Sequence, residues 1–219
     1  MKKLSIIVPM FKVEAYIEEC LLSCVRQDLT TDEYEIIVVD DGSPDGSARL
    51  VEQLMPKFPQ IRMIQQQNQG LSMARNNGLN IAQGEYVWFV DSDDRIKENC
   101  LGRLLRTLSN SNCPIMRISG QFDEQKNRGV AFEGIQTWDD ILMDENYEAC
   151  VPFHIYRREF LLEHQLRFYP GIYHEDSEFT PRALFYAQQI VGYKDTLYFV
   201  RENNQSITHV ANSKKSFDV

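Results

Sequence analysis

Short, continuously apolar runs alternate with stretches whose apolar side chains recur every three or four positions through roughly the first hundred residues of the chain. The runs at 4–8 (Leu-Ser-Ile-Ile-Val), 35–39 (Glu-Ile-Ile-Val-Val), 61–64 and 86–90 have strand length. Between them Ile17, Cys20, Leu21, Cys24 and Val25 form one helical face, and a helix over about 47–55 turns Leu50, Val51 and Leu54 inward. Leu71, Ala74, Gly78 and Ala82 mark another helix, ended by Gly84, and Leu101, Leu104, Leu105 and Leu108 mark a further one. The run at 35–39 is too continuously apolar for a sheet wetted on one side. Strands separated by helices predict an α/β fold with a Rossmann-like, mostly parallel central sheet covered by helices on both faces. Ligands of such sheets bind outside the carboxyl ends of the strands.

Beyond residue 110 the pattern loosens. It predicts a strand at 114–120, a polar surface excursion over 121–134, helices near 138–145 and 157–165, a helix at about 177–189 and a final strand at 196–201. The loop before the penultimate element reads Phe-Tyr-Pro-Gly-Ile-Tyr-His-Glu-Asp. With no repeat and no low-complexity linker, residues 1–219 are expected to form one domain.

The polar residues then concentrate where the apolar runs end. Val-Trp-Phe-Val-Asp-Ser-Asp-Asp at 87–94 delivers Asp91, Asp93 and Asp94 to the carboxyl end of a strand. Like charges so close repel unless something positive neutralises them. Mg²⁺ or Mn²⁺, a hard cation that binds through one or two carboxylates plus substrate phosphate oxygens, would do so. The alternative is ordinary turn and helix-cap chemistry. Asp40-Asp41 falls at the same edge, which makes the two clusters harder to dismiss together.

Composition excludes some partners. A net charge of −9, from 23 basic and 32 acidic residues, argues against nucleic acid. Five cysteines, at 20, 24, 100, 113 and 150, lack any Cys-x-x-Cys pair and read as free thiols. The apolar run after Met-Lys-Lys is about five residues long and ends in Pro9, too short for a signal peptide or membrane span. A cytoplasmic protein is expected, with attachment to the inner face of a membrane and self-association left open.

Several side chains carry a double reading. Phe11 suits a core or the face of a planar base; Asp41 suits a turn or the imide N–H of a uracil or thymine. Arg75, one turn into its helix, is either a solvated arginine or a ligand for phosphate or base oxygens. Asp176 is either a helix N-cap or a general base raised in pKa by Glu175 and burial. Arg201 and Ser206-Ile207-Thr208-His209 stand where a segment would close over a diphosphate.

Together these segments resemble glycosyltransferase family 2, the inverting enzymes of GT-A fold. The resemblance runs through Ser-Ile-Ile-Val-Pro-Met-Phe, Val-Val-Asp-Asp-Gly-Ser-Pro-Asp-Gly-Ser, Asn-Gln-Gly-Leu-Ser-Met-Ala-Arg-Asn-Asn-Gly-Leu, the Asp-Ser-Asp-Asp strand end, His-Glu-Asp and Arg-Glu-Asn-Asn-Gln-Ser-Ile-Thr-His. It implies a nucleotide-sugar-binding half at 1–110 and an acceptor-binding half at 111–219. Pro9, Phe11 and Asp41 would hold the base with Glu14 and Arg75 nearby. Asp91 would face ribose and metal, Asp93 would coordinate Mn²⁺ or Mg²⁺, Asp94 stays open as a ligand, and Arg201 and His209 would cover the diphosphate. Asp176 would be the base. The donor is implied to be a UDP-sugar, and the acceptor a glycan or lipid-linked saccharide in polysaccharide or cell-surface glycan synthesis. The sequence departs from the commonest family pattern at Lys12, where asparagine is usual, and at Phe11 in place of tyrosine. Two rivals remain: a nucleotidyltransferase acting on sugar phosphates, which usually brings a glycine-rich loop absent after the first strand, and a non-catalytic nucleotide-sugar-binding module.

Overall fold

The computed structural model describes residues 2–122, 126–128, 132–144 and 147–201. Its first half follows the alternation read above: β1 (Leu4–Met10), α1 (Ile17–Val25), β2 (Tyr34–Asp40), α2 (Ser47–Leu54), β3 (Ile61–Gln65), α3 (Leu71–Ile81) and β4 (Tyr86–Phe89). β1 pairs in parallel with both β2 and β4, and β2 with β3. No residue of β1 or β2 is exposed. Alternation explains why. Leu4, Ile6, Val8 and Met10 face one layer with Ile17, Cys20, Leu21 and Cys24 of α1 and Val51 of α2, while Ile7, Ile37 and Val39 face the other with Ala74 and Leu79 of α3.

Two local details place the site. Strand β1 runs two residues past the expected end, through Pro9. The Ile7 carbonyl accepts from Val90 N–H toward β4. Because alternate residues face the same neighbour, Pro9 turns its missing donor to that side, beyond the last paired residues Ile7 and Phe89. On α3, a Cβ on Gly78 would lie 2.4 Å from Ile7 Cγ2, so only glycine lets this helix sit so close to β1. Leu50 is half-buried rather than buried.

The second half departs further from expectation. It contains β5 (Arg95–Ile96), α4 (Leu101–Ser111), β6 (Ile115–Phe122), β7 (Lys126–Arg128), β8 (Gly134–Thr137), α5 (Trp138–Leu142), a 3₁₀ turn at Val151–Phe153, β9 (His154–Arg157), α6 (Arg158–Glu163), α7 (Glu175–Ala187) and β10 (Gln189–Val200). The ten-stranded sheet runs β3-β2-β1-β4-β9-β6-β10-β5, with β7 on β6 and β8 on β10. It is parallel through β4, and β9 then enters antiparallel to both β4 and β6. The excursion at 121–134 includes β7, hairpin-paired to β6. Strand β10 begins seven residues before the predicted 196, and register shifts around Thr196 let it pair with β6 along its length. The fold is thus the expected α/β sheet flanked by helices, with a mixed second half.

Among the described residues no helix is long and apolar enough to cross a membrane. All five cysteines are free.

Candidate active site at the carboxyl edge of the sheet

The loop after β1 is stitched to the loop after β2. Lys12 N–H donates to Ser43 Oγ (3.3 Å), Val13 N–H to Ser47 Oγ (3.0 Å) and Glu14 N–H to Asp45 Oδ2 (3.2 Å). Glu14 Oε2 accepts from Gly46 N–H at 2.9 Å, so this carboxylate is engaged at the start of α2. Phe11 is 41% exposed, not a core aromatic, and Lys12 Nζ lies 5.1 Å from its ring centroid. Lys12 adopts a left-handed backbone, φ 56°, which asparagine takes up more readily than lysine.

Asp41 is buried, and its carboxylate clamps the loop that opens α3. Oδ1 accepts from Gln69 N–H (2.8 Å) and Gln66 Nε2 (2.8 Å), and Oδ2 from Gly70 N–H (2.8 Å). Gly70 sits at φ 88°, ψ 167°, a conformation only glycine adopts without strain. Helix α3 then presents Arg75, which is 2% exposed, not solvated. One guanidinium nitrogen donates to Asp91 Oδ1 at 2.8 Å and the other to Glu175 Oε1. Burial opposes its charge, but Asp91 and Glu175 outweigh that and raise its pKa. Its Nε is buried without a partner, and its guanidinium carbon lies 5.3 Å from the Phe168 ring centroid.

The three aspartates after β4 divide. Asp94 turns inward: Tyr198 OH donates to Oδ2 at 2.7 Å and Arg201 N–H to Oδ1 at 2.9 Å. Burial, then the charges of Asp91 and Asp93, push the Asp94 carboxyl well above the usual range. Asp91 and Asp93 stay partly exposed at the strand end. Arg201 Nε donates to the Asp93 carbonyl (3.1 Å), and its Nη2 donates to Glu19. His209 lies outside the described residues.

Asp176 is not an N-cap. Helix α7 starts at Glu175, two residues earlier than predicted, and its N-cap is His174 at φ 57° with no side-chain cap. Asp176 therefore lies in the first turn, half-buried, with Oδ1 accepting from Ser177 N–H at 3.0 Å. Burial, then Glu175, raise its pKa, while Arg75 and the Ser177 N–H pull it down.

This geometry has relatives. Residues 5–164 match the sequence model of the family described as Glycosyl transferase family 2. The chain belongs to glycosyl transferase family 2. It is 34% identical over 218 residues to the uncharacterized glycosyltransferase EpsJ of Bacillus subtilis (strain 168), covering 94% of this chain and 63% of EpsJ. It is 30% identical to the poly(ribitol-phosphate) beta-N-acetylglucosaminyltransferase TarS of Staphylococcus aureus (strain MW2), covering 91% of this chain and 35% of TarS. A crystal structure of S. aureus TarS 1-349 in complex with UDP-GlcNAc matches with TM-score 0.85 and 28% identity, over 96% of this chain and 61% of that one. The mannosyltransferase PcManGT from Pyrobaculum calidifontis, in complex with GDP-Man and Mn²⁺, shares the fold at TM-score 0.71 and 20% identity, over 90% of this chain and 56% of that one. This chain thus spans less than two thirds of the length of these relatives.

Within this family 2 chain, Arg75 brings Asp91 and Glu175 together, and Arg201 gathers Asp93, Asp94 and Glu19. Glu14 and Asp41 are engaged apart from both groups, on the loops before α2 and α3. Among the described residues no three His, Cys, Asp or Glu side chains form a metal-holding group. With Asp94 turned inward, the carboxylates at the strand end are Asp91, whose Oδ1 also pairs with Arg75, and Asp93, oxygen donors of the kind that fits a hard divalent cation completed by phosphate oxygens and water. Two residues escaped the sequence reading. Glu175 reads only as a neighbour of Asp176, and nothing in the sequence announces a partner a hundred positions away. Tyr198 falls in the predicted final strand, and its hydroxyl role has no sequence signal.

Proposed function

We propose that the chain is a glycosyltransferase that moves a sugar, with inversion, from a UDP-linked donor to an acceptor hydroxyl in cell-surface glycan or polysaccharide synthesis. The observation that supports it most is the Arg75 bridge, which joins the acidic end of β4 to the start of the helix bearing Asp176. The match to TarS in complex with UDP-GlcNAc and, at TM-score 0.80, with UDP supports the nucleotide. Pro9 and the exposed Phe11 ring would flank the base, with Asp41 and Glu14 shaping the loops around it.

Asp91 and Asp93 would hold Mn²⁺ or Mg²⁺. Such a cation, when bound, offsets the negative charge that builds on the leaving diphosphate. Asp176 does the proton chemistry. A carboxylate whose pKa is raised by burial and a like neighbour is a better base at neutral pH than an exposed one. It takes the proton of the acceptor hydroxyl as that oxygen attacks the anomeric carbon opposite the diphosphate. The C–O bond to the acceptor forms as the bond to the diphosphate breaks, in one displacement. Arg201, at the end of β10, would stand beside the leaving group.

The test is Asp176→Asn assayed with UDP-sugars and a panel of saccharide acceptors. Transfer should vanish while UDP binding in Mn²⁺ persists; a purified variant with near-normal transfer rates refutes the assignment. Products separate the rival readings: free UDP accompanies glycosyl transfer, and pyrophosphate would accompany nucleotidyl transfer. Tight nucleotide binding with no turnover on any donor would leave only a binding module.

A further inference from the structure

We propose that Glu175 is a positioning residue for the base: by holding Arg75 against Asp91, it ties the first turn of α7 to the carboxyl end of β4 and fixes where Asp176 stands relative to the donor. The inference rests on the reading of Asp176 as the base. It begins from a geometric fact, that a nearly inaccessible guanidinium is shared between carboxylates from two distant segments. The two terminal nitrogens of the planar guanidinium each take one partner, a fixed spacing that a lysine ammonium does not offer.

The next residue repeats the connection. Asn76 Nδ2 donates to the Phe168 carbonyl at 2.8 Å, and Phe168 N–H donates to Asn76 Oδ1 at 3.0 Å. Phe168 stacks on Phe179 at 3.9 Å between centroids and 19° between planes, and Phe179 is one turn along α7 from Asp176. Consecutive residues of α3 therefore hold both the loop that feeds α7 and its first turn. Helix α3 is itself fixed to β1 by the close approach at Gly78. The base has a rigid path through α3 and β1 to β4, the strand that Asp91 follows.

The link is also electrostatic. The charged and titratable groups that bear on Asp176 or respond to it are Glu175 on its own helix, Arg75 from α3, Asp91 from the end of β4, and Tyr147 and Cys150 from the segment before the 3₁₀ turn. Glu175 favours the protonated carboxyl and Arg75 the ionised one. Replacing Glu175 with glutamine leaves Arg75 with Asp91 as its carboxylate partner and exposes Asp176 to more of its positive charge. The acid limb of kcat against pH then moves to lower pH.

The experiment measures kcat, donor KM and the kcat–pH profile for Glu175→Gln, Glu175→Asp and Asp176→Asn in parallel. For Glu175→Gln, kcat falls on the order of tenfold to a hundredfold, the penalty of a misplaced catalytic group, donor KM is unchanged, and the acid limb shifts down. Glu175→Asp keeps the charge but not the reach, so kcat falls and the acid limb stays put. A purely structural ion pair would lower thermal stability and leave kcat at the pH optimum unchanged. Wild-type kcat and acid limb in Glu175→Gln overturn the inference. If that variant does not fold because a charge is stranded, the double variant Arg75→Met with Glu175→Met removes both charges, and a wild-type kcat there is equally fatal. An inactive Asp176→Asn beside a normal Glu175→Gln sinks the positioning role alone, whereas an active Asp176→Asn sinks the base.

Discussion

Tyr198 OH stands between two acidic residues, donating to Asp94 Oδ2 at 2.7 Å and accepting from the Asp91 N–H at 3.0 Å. The hydroxyl comes from β10, a strand of the second half, and the residues it joins follow β4, so it fastens the two halves at the site. Tyr198→Phe removes one hydroxyl and leaves a buried carboxylate oxygen and the Asp91 N–H without that partner. Each unsatisfied buried group costs about 1–3 kcal/mol. Urea unfolding should show a lower midpoint with an unchanged slope, the product of shift and slope being of that order; an unchanged midpoint would mean that water replaces the hydroxyl.

Acid sensitivity should trace to His154. Its ring is fully buried, with Nδ1 2.9 Å from the Cys150 carbonyl and Nε2 without a partner. Burial, then the Arg117 guanidinium, lower its pKa from 6.5 to about 3, while the Cys150 carbonyl works the other way. The unfolded chain takes up a proton near 6.5 and the folded chain resists until about 3, so this stability is whole above 6.5 and lost as pH falls between those values. The slope is about 1.4 kcal/mol per pH unit, or roughly 2 kcal/mol by pH 5. His154→Gln should lose less stability than the parent between pH 7.5 and 5 in urea titrations. Parallel losses in the two proteins would rule His154 out.

Legibility in the sequence followed burial. The strands β1 to β4 and the helices between them announce themselves because both sheet faces are covered, which forces apolar runs and clean helical spacing. Strand β9 does not: His154-Ile155-Tyr156-Arg157 is four residues long and runs straight into α6, so it merges with a helical pattern. The first half of β10 carries Gln189, Gly192, Lys194 and Asp195, which give no apolar alternation, although Ile190 to Gly192 pair on both sides. At the site, the acidic strand ends were visible as motifs. Which way each carboxylate turns was not, because Asp94 is set by Tyr198 and Arg201, residues more than a hundred positions away.

Asp41→Asn tests whether the loop before α3 depends on a carboxylate. The wild-type oxygens accept from Gln66, Gln69 and Gly70, and whichever way an asparagine amide is placed, its NH₂ faces an N–H donor. One or more donors lose their acceptor, at about 1–3 kcal/mol each. Because Gly70 opens the helix that bears Arg75, UDP affinity by calorimetry should fall together with the urea midpoint. A fall in affinity with no change in midpoint would instead assign Asp41 to direct contact with the base.

The division among the aspartates gives a separable pair of variants. A ligand that binds the folded chain alone raises stability by mass action, by about 2.7 kcal/mol at a hundred times its dissociation constant. UDP with Mn²⁺ should therefore raise the thermal midpoint above the value with UDP and a chelator. Asp93→Ala removes one of the two proposed carboxylate ligands, and the Mn²⁺-dependent part of the rise should disappear. Asp94→Asn acts differently, since both Asp94 oxygens are occupied by Tyr198 and Arg201. Its own midpoint should change while the Mn²⁺-dependent rise survives. If the rise survives in Asp93→Ala and is lost in Asp94→Asn, Asp94 must swing outward on ligand binding and the inward geometry belongs to the ligand-free chain alone.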